Sequence, residues 1–422
     1  VLEVGKMLLK LLMRSFIRRL AKNKTMIIGV VGKPNVGKST FFKSATLADV
    51  EIANYPFATI KANSGVGHVK VDCVDVEFKT QCNPRTGYCV GHKRFIPVEL
   101  IDVAGLVPGA HEGKGLGNAF LEDLRPADAL IHVIDASGGT NEKGETVNEG
   151  SYDPVNDIKF LENELDMWYL GIMKRGWEKF ARTMQQEHSN VVKTIAKRLS
   201  GLRVTEEHVE RCLKENNLGE KAPAKWDEDE MFKFASWLRK ETKPMVIVAN
   251  KCDRQIGRDN VVRLQEEFKD YRIIPCSADS ELALREASKS GVLTYTPGDK
   301  DFVMDDSKLN EKQMEALGFI KKNVLETYGS TGVQQAINEA VFDLLNYIHV
   351  YPGGMNKLED KDGNVLPDCF LMKNGITALG FAFRIHTDIG KGFIKAMDVK
   401  KRIPIGKEHV LLKGDVVEIM TK

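Results

Sequence analysis

At 422 residues the chain is long enough for two or three domains, each with its own core. Its 42% hydrophobic and 28% charged content is that of an ordinary soluble protein, and a net charge of +2 argues against a uniformly basic nucleic-acid binder while leaving local basic patches open. Seven cysteines without a dense framework suit a reducing compartment, so a cytoplasmic location is expected.

Residues 1–25 space Leu8, Leu12, Phe16 and Leu20 at helical intervals among Lys10, Arg14, Arg18 and Arg19. That pattern is a basic amphipathic helix, without the uninterrupted apolar run of a membrane span or a secretory signal. Met26 directly precedes the first core strand, so an extension outside the native chain is expected, with a packing helix and a membrane-surface helix as alternatives. No stable membrane association is expected.

Five apolar runs follow: 26–32, 95–105, 129–137, 244–253 and 272–278. Each ends in a polar turn, and helical segments lie between most of them. Continuous apolar strands of this kind predict an α/β fold with a mostly parallel sheet buried on both faces. Ligands of such sheets sit beyond the carboxyl ends of the strands, where these turns fall.

Between Asp135 and Pro244 lies more chain than one crossover needs. Ile158, Leu161, Leu165, Tyr169 and Ile172 recur at helical spacing, as do Val192, Ile195 and Leu199. The segment 150–225 therefore reads as a helical, coiled-coil-like insertion reaching out of the sheet. A later helix is expected to be capped at Ser330 or Thr331. Residues 345–422 change style, with a helix between strands, and predict a small α+β domain. The sheet domain then comprises 26–149 and 226–344.

The strongest motif is "GKPNVGKS", Gly32–Ser39, after a strand and before a helix. A G-x-x-x-x-G-K-S loop wraps backbone N–H groups around phosphates. Lys33, Pro34, Asn35, Val36, Gly37, Lys38, Ser39 and Thr40 are the expected phosphate-loop contacts. Lys38 reaches the β- and γ-oxygens, and Ser39 is a Mg²⁺ ligand. Asp102 ends a strand, where it can hold the same Mg²⁺ through water, and Gly105 offers an N–H to the γ-phosphate. Thr59 falls where a switch threonine would grip the metal. Asn250, Lys251 and Asp253 form an N-K-x-D element whose carboxylate can accept from guanine N1–H and its exocyclic amine, which adenine cannot match. Ser277 and Ala278 fit the loop that closes over the base.

Leu106 stands where many GTPases carry a water-orienting glutamine, so unaided hydrolysis is expected to be slow. Asn35 is a candidate ligand for K⁺ beside the phosphates, which would offset transition-state charge, or else it braces the loop. His111 is a weaker candidate base. Cys73, Cys82, Cys89 and His92 have irregular gaps, with only Cys89-x-x-His92 at tight ligand spacing, so unliganded cysteines of a surface hairpin are expected rather than zinc, although four such ligands suit a tetrahedral site. Lys193, Lys197, Arg198 and Arg203 form a basic cluster that is either a solvated face or an rRNA contact.

With "GKPNVGKST", "ANYPFATI", "DVAGLVPGAHEGKGLGNAFLEDLR", "NKCD" and "FAFRIHTDIGKGF…KGDVVEI", the chain from Met26 onward resembles the YchF branch of the Obg family of P-loop GTPases. The last block resembles a TGS domain, a β-grasp module. The resemblance implies a GTPase of the hydrophobic-substituted class with weak intrinsic turnover and ribosome association. It also implies that Lys38, Ser39, Thr59, Asp102 and Gly105 hold the γ-phosphate and Mg²⁺. Several members of the branch lack N-K-x-D and prefer ATP, whereas this chain retains it. GTP and GDP are therefore the expected ligands, with ATP or dual use, or a nucleotide-gated signalling scaffold, as alternatives. The TGS helix lacks the Pro-Arg pair usual near its start, so no RNA contact is carried over to it. A monomer is expected.

Overall fold

The computed structural model describes residues 26–47, 63–103, 105, 109 and 123–422. The expectations for residues 1–25, Thr59, Leu106 and His111 lie outside the described residues.

The main sheet contains β1 (Ile27–Val31), β2 (Ser64–Asp72), β3 (Tyr88–Val90), β4 (Lys93–Asp102), β5 (Ala129–Asp135), β6 (Met245–Asn250) and β7 (Ile273–Cys276). Its order is β2-β4-β1-β5-β6-β7, with β3 hydrogen-bonded to β4. The five predicted apolar runs are β1 and β4 to β7, and they pair in parallel. The strands β2 and β3, antiparallel to β4, had no clear apolar signal.

Alternation along the strands explains the burial of both faces. Val31, Leu130 and Met245 point to a core shared with Leu161, Leu165, Tyr169, Phe234 and Leu238. Val30, Ile131 and Val246 point the other way, onto Phe41, Val333, Ala336 and Ile337. The helices Val155–Lys174, Trp177–Gln186, Val191–Arg198 and Glu206–Glu215 make the predicted helical region. Its core is continuous with that of the sheet, because Leu161 and Leu165 belong to the same buried cluster as Val31 and Leu130. Asp227 closes this region with a capping box to Glu230, starting the Glu228–Thr242 helix that leads back into β6.

Beyond β7 and the Ala278–Lys289 helix come a two-stranded ribbon, β8 (Leu293–Thr294) and β9 (Val303–Met304), and the Glu311–Ile320 helix. The following Val333–Asn338 helix starts behind Gly332, not at Ser330 or Thr331. Thr331 is unavailable as a cap because its buried hydroxyl donates to Glu281 Oε2 at 2.5 Å.

The C-terminal sheet has the order β11-β10-β14-β12-β13, with β10 (Tyr347–Pro352), β11 (Phe370–Lys373), β12 (Phe393–Asp398), β13 (Ile403–Ile405) and β14 (Val416–Thr421). The parallel β10–β14 pair lies inside it, and the Ala378–Ile385 helix packs Phe381 against Val350 and Val417.

Candidate nucleotide site

The turn after β1 leads into the Lys38–Thr46 helix, so Lys38, Ser39 and Thr40 occupy its first turn. Free N–H groups and the helix dipole there favour a phosphate. Gly37 precedes it at φ 91°, and a β-carbon would lie 2.2 Å from Asn250 Nδ2. Lys38 Nζ lies 2.5 Å from Asp102 Oδ1 at the end of β4, so both groups project into one space. The exposed Ser39 hydroxyl and the Asp102 carboxylate are hard oxygen donors, the set Mg²⁺ takes beside phosphates.

The base side is held by backbone contacts that motif spacing does not reveal. Asn250 Nδ2 donates to Val36 O at 2.8 Å, and its Oδ1 accepts from Ala278 N at 3.0 Å. One buried amide thus joins the phosphate loop, the end of β6 and the loop after β7. Lys251 Nζ reaches Asn35 O at 3.4 Å and Asp135 Oδ2 at 2.7 Å. Asp253 and Ser277 line a cavity of about 490 Å³ walled by Ala316, Phe319 and Ile320 of the Glu311–Ile320 helix. Among the described residues nothing donates to the half-exposed Asp253 carboxylate, which leaves both oxygens for a ligand.

Residues that the motifs did not single out also shape the site. Asp135 is buried at the end of β5. It accepts from Ser137 N and Oγ, Thr140 Oγ1 and Lys251. Burial raises its carboxyl pKa, but Lys251 and the two hydroxyls outweigh that and hold it below the usual carboxylate range. Thr140 O also accepts from Lys33 Nζ at 2.7 Å, and Asp157 Oδ1 pairs with the same ammonium at 2.8 Å. Lys33 further lies 3.8 Å from the centre of the Tyr152 ring. Burial outweighs mutual attraction in this pair: the Lys33 ammonium is pulled below its ordinary range, and the Asp157 carboxyl is pushed up to about 6. The signal that could have found Asp135 and Thr140 is a polar, Gly-rich loop directly after a core strand.

Asn35 Nδ2 donates to Gly144 O at 2.7 Å, so its amide nitrogen braces the 138–146 loop. Gly105 and Gly144 both press on Pro34, where β-carbons would come within 2.9 and 2.8 Å of its ring. Gly109 N donates to Glu164 Oε1 at 2.9 Å, which ties Gly109 to the Val155–Lys174 helix. The basic cluster is broken up by the fold. Arg203 pairs with Asp128 and Arg198 stacks on Phe180, while Lys193 and Lys197 remain on the surface.

The fold and these loops define a P-loop nucleotide-binding protein of the GTPase type with a C-terminal TGS domain. Residues 27–162 match the family model described as 50S ribosome-binding GTPase, residues 248–353 the G4 motif-containing domain of YGR210-like Obg-like GTPases, and residues 359–421 the TGS domain. An uncharacterised GTP-binding protein of Methanocaldococcus jannaschii is 48% identical over 94% of this chain and 99% of its own length. The ribosome-binding ATPase YchF of Bacillus subtilis is 30% identical, over 92% and 97%. A crystal structure of a GTP-binding protein from Pyrococcus horikoshii superposes with a TM-score of 0.75 at 40% identity, covering 94% of this chain and all of that one. The chain belongs to the YchF branch of the Obg-like GTPase family. No helix among the described residues is long and apolar enough to cross a membrane.

Proposed function

We propose that this chain is a GTP-binding and GTP-hydrolysing regulator that acts with ribosomal particles. The observation that carries the guanine preference is the Asp253 carboxylate, which lines the cavity with no donor among the described residues. Two guanine donors satisfy it, whereas adenine would cover it without supplying a donor, at a cost of about 1–3 kcal/mol.

In this reading Lys38 turns from Asp102 to the β- and γ-oxygens when triphosphate binds. Ser39, Thr59 and Asp102 would hold Mg²⁺, which would neutralise phosphate charge. Gly105 donates its N–H to the γ-phosphate. Asn35 keeps its amide nitrogen on Gly144 while its Oδ1, which accepts from no described residue, serves as a K⁺ ligand. Loss of the γ-phosphate releases Gly105, and the Gly109–Glu164 bond carries that change into the helical region. Slow unaided turnover follows from Leu106.

Calorimetric titration with GDP and with ADP tests the base reading, and equal affinities would sink it. Turnover measured with and without ribosomal particles tests the regulatory reading, with stimulation and co-sedimentation expected. The name of the Bacillus subtilis relative favours the ribosome as partner and keeps ATP as the second reading.

A further inference from the structure

The segment between β2 and β4 folds back on itself and gathers four metal-ligating groups. Cys73 follows β2, Asp75 lies in the short helical turn Val74–Phe78, Cys82 lies in the loop after it, and Cys89 is in β3. Their ligand atoms all lie within 4.8 Å of one another. Cys73 Sγ and Cys82 Sγ are 3.4 Å apart, and Cys89 Sγ is 3.8 Å from Asp75 Oδ2. A tetrahedral zinc with Zn–S of about 2.3 Å places sulfurs roughly 3.8 Å apart, so the cluster needs only a small adjustment to close on one ion. Irregular spacing in sequence concealed this because the left-handed turns at Lys79 and His92 bring the three strand ends together.

Arg94 supplies a second, independent observation. Its side chain is fully buried in β4, yet no carboxylate pairs with it among the described residues. Nη1 lies 3.6 Å from Cys82 Sγ and donates to Leu366 O, Nη2 donates to Pro367 O, and Nε has no partner among the described residues. A buried guanidinium needs a counter-charge. Three thiolates and a carboxylate around a divalent cation leave a formal surplus of two negative charges beside it. Neutral thiols leave Arg94 uncompensated.

We propose that Cys73, Asp75, Cys82 and Cys89 bind one structural Zn²⁺, with Arg94 offsetting the surplus charge of the site. His92 Nδ1, 3.0 Å from Asp75 Oδ1, orients the carboxylate. The ion stiffens the loop that holds the C-terminal domain. Asn83 N and Arg85 N donate to Val365 O and Pro367 O, and Arg85 pairs with Asp368. The cation thus fixes how the C-terminal sheet sits against β4.

Full-length protein purified under reducing, chelator-free conditions tests this by elemental analysis and by Co²⁺ substitution. About one zinc per chain is expected, with thiolate-to-cobalt charge-transfer bands of three-sulfur intensity. Cys89→Ser changes only a partly exposed ligand, and it should weaken Co²⁺ binding by about 100-fold or more and reduce those bands by a third. Should that variant fail to fold, the near-isosteric Asp75→Asn should keep the three-sulfur bands at reduced affinity. Less than roughly a tenth of an equivalent of zinc in the wild type, with no Co²⁺ bands, overturns the proposal. So does a Cys73–Cys82 disulfide found by mass spectrometry in the freshly isolated chain.

Discussion

Asn250 Nδ2 occupies the space that a β-carbon on Gly37 would need, at 2.2 Å, while it donates to Val36 O. The phosphate loop and the base-recognition element are therefore one packed unit. Gly37→Ala must displace Asn250 and also adopt φ near 91°. We expect GDP affinity to fall by about 100-fold or more, from strain of roughly 3 kcal/mol, with circular dichroism unchanged. Titration calorimetry checks this, and wild-type affinity in the variant would show that the loop rearranges freely.

Asp253→Asn converts one acceptor oxygen facing the base into a donor. Guanine then presents its exocyclic amine to an amide N–H, while xanthine presents a carbonyl there. GDP binding should weaken by about 100-fold and xanthosine diphosphate should bind better than GDP. Competition against a fluorescent nucleotide measures both. An unchanged preference would place the base elsewhere than the Asp253 cavity.

Asn35 gives its amide nitrogen to Gly144 O, and its side-chain oxygen accepts from none of the described residues. GTP turnover should be about 10-fold faster in K⁺ than in Na⁺ at equal ionic strength, and Asn35→Ala should abolish the difference. Equal rates in the two salts contradict the cation role and leave Asn35 as a brace for the 138–146 loop.

The Lys33–Asp157 pair makes a pH prediction of definite sign. The Asp157 carboxyl, pushed up to about 6 from 3.8, binds its proton more tightly in the folded state than in the unfolded one. Its contribution to stability is thus fully present below about pH 3.8 and is lost as pH rises through about 6. At about 1.4 kcal/mol per unit this is on the order of 3 kcal/mol. Urea unfolding of wild type and Asp157→Asn between pH 4 and 7 isolates it. The wild type should gain stability relative to the variant as pH falls, and parallel curves would refute the assignment.

The core strands and the P-loop were legible because their signals are local. A run such as "IIGVV" is apolar at consecutive positions, and G-x-x-x-x-G-K-S needs no distant residue to be recognised. The helical region was legible from its spacing, but not its shared core with the sheet, which depends on Leu161 and Leu165 meeting Leu130 and Val31. The antiparallel β2 carries no apolar run because Gly65, Gly67, His68 and Lys70 interrupt it, and β3 is only three residues long. Ser330 and Thr331 looked like caps because propensity cannot see that Glu281 claims the Thr331 hydroxyl.

By itself the sequence determined the family, the phosphate loop, the N-K-x-D element and the C-terminal domain, since each is carried by residue types at fixed short spacing. Only the tertiary structure decided what holds them in register. Asn250 joins three loops, Asp135 anchors Lys251, Lys33 is buried against Asp157, and Cys73, Asp75, Cys82 and Cys89 converge beside Arg94. These contacts span gaps that motif spacing does not encode. Burial sets their chemistry, by removing the water that would otherwise satisfy each polar group and so making the partner across the fold the decisive one.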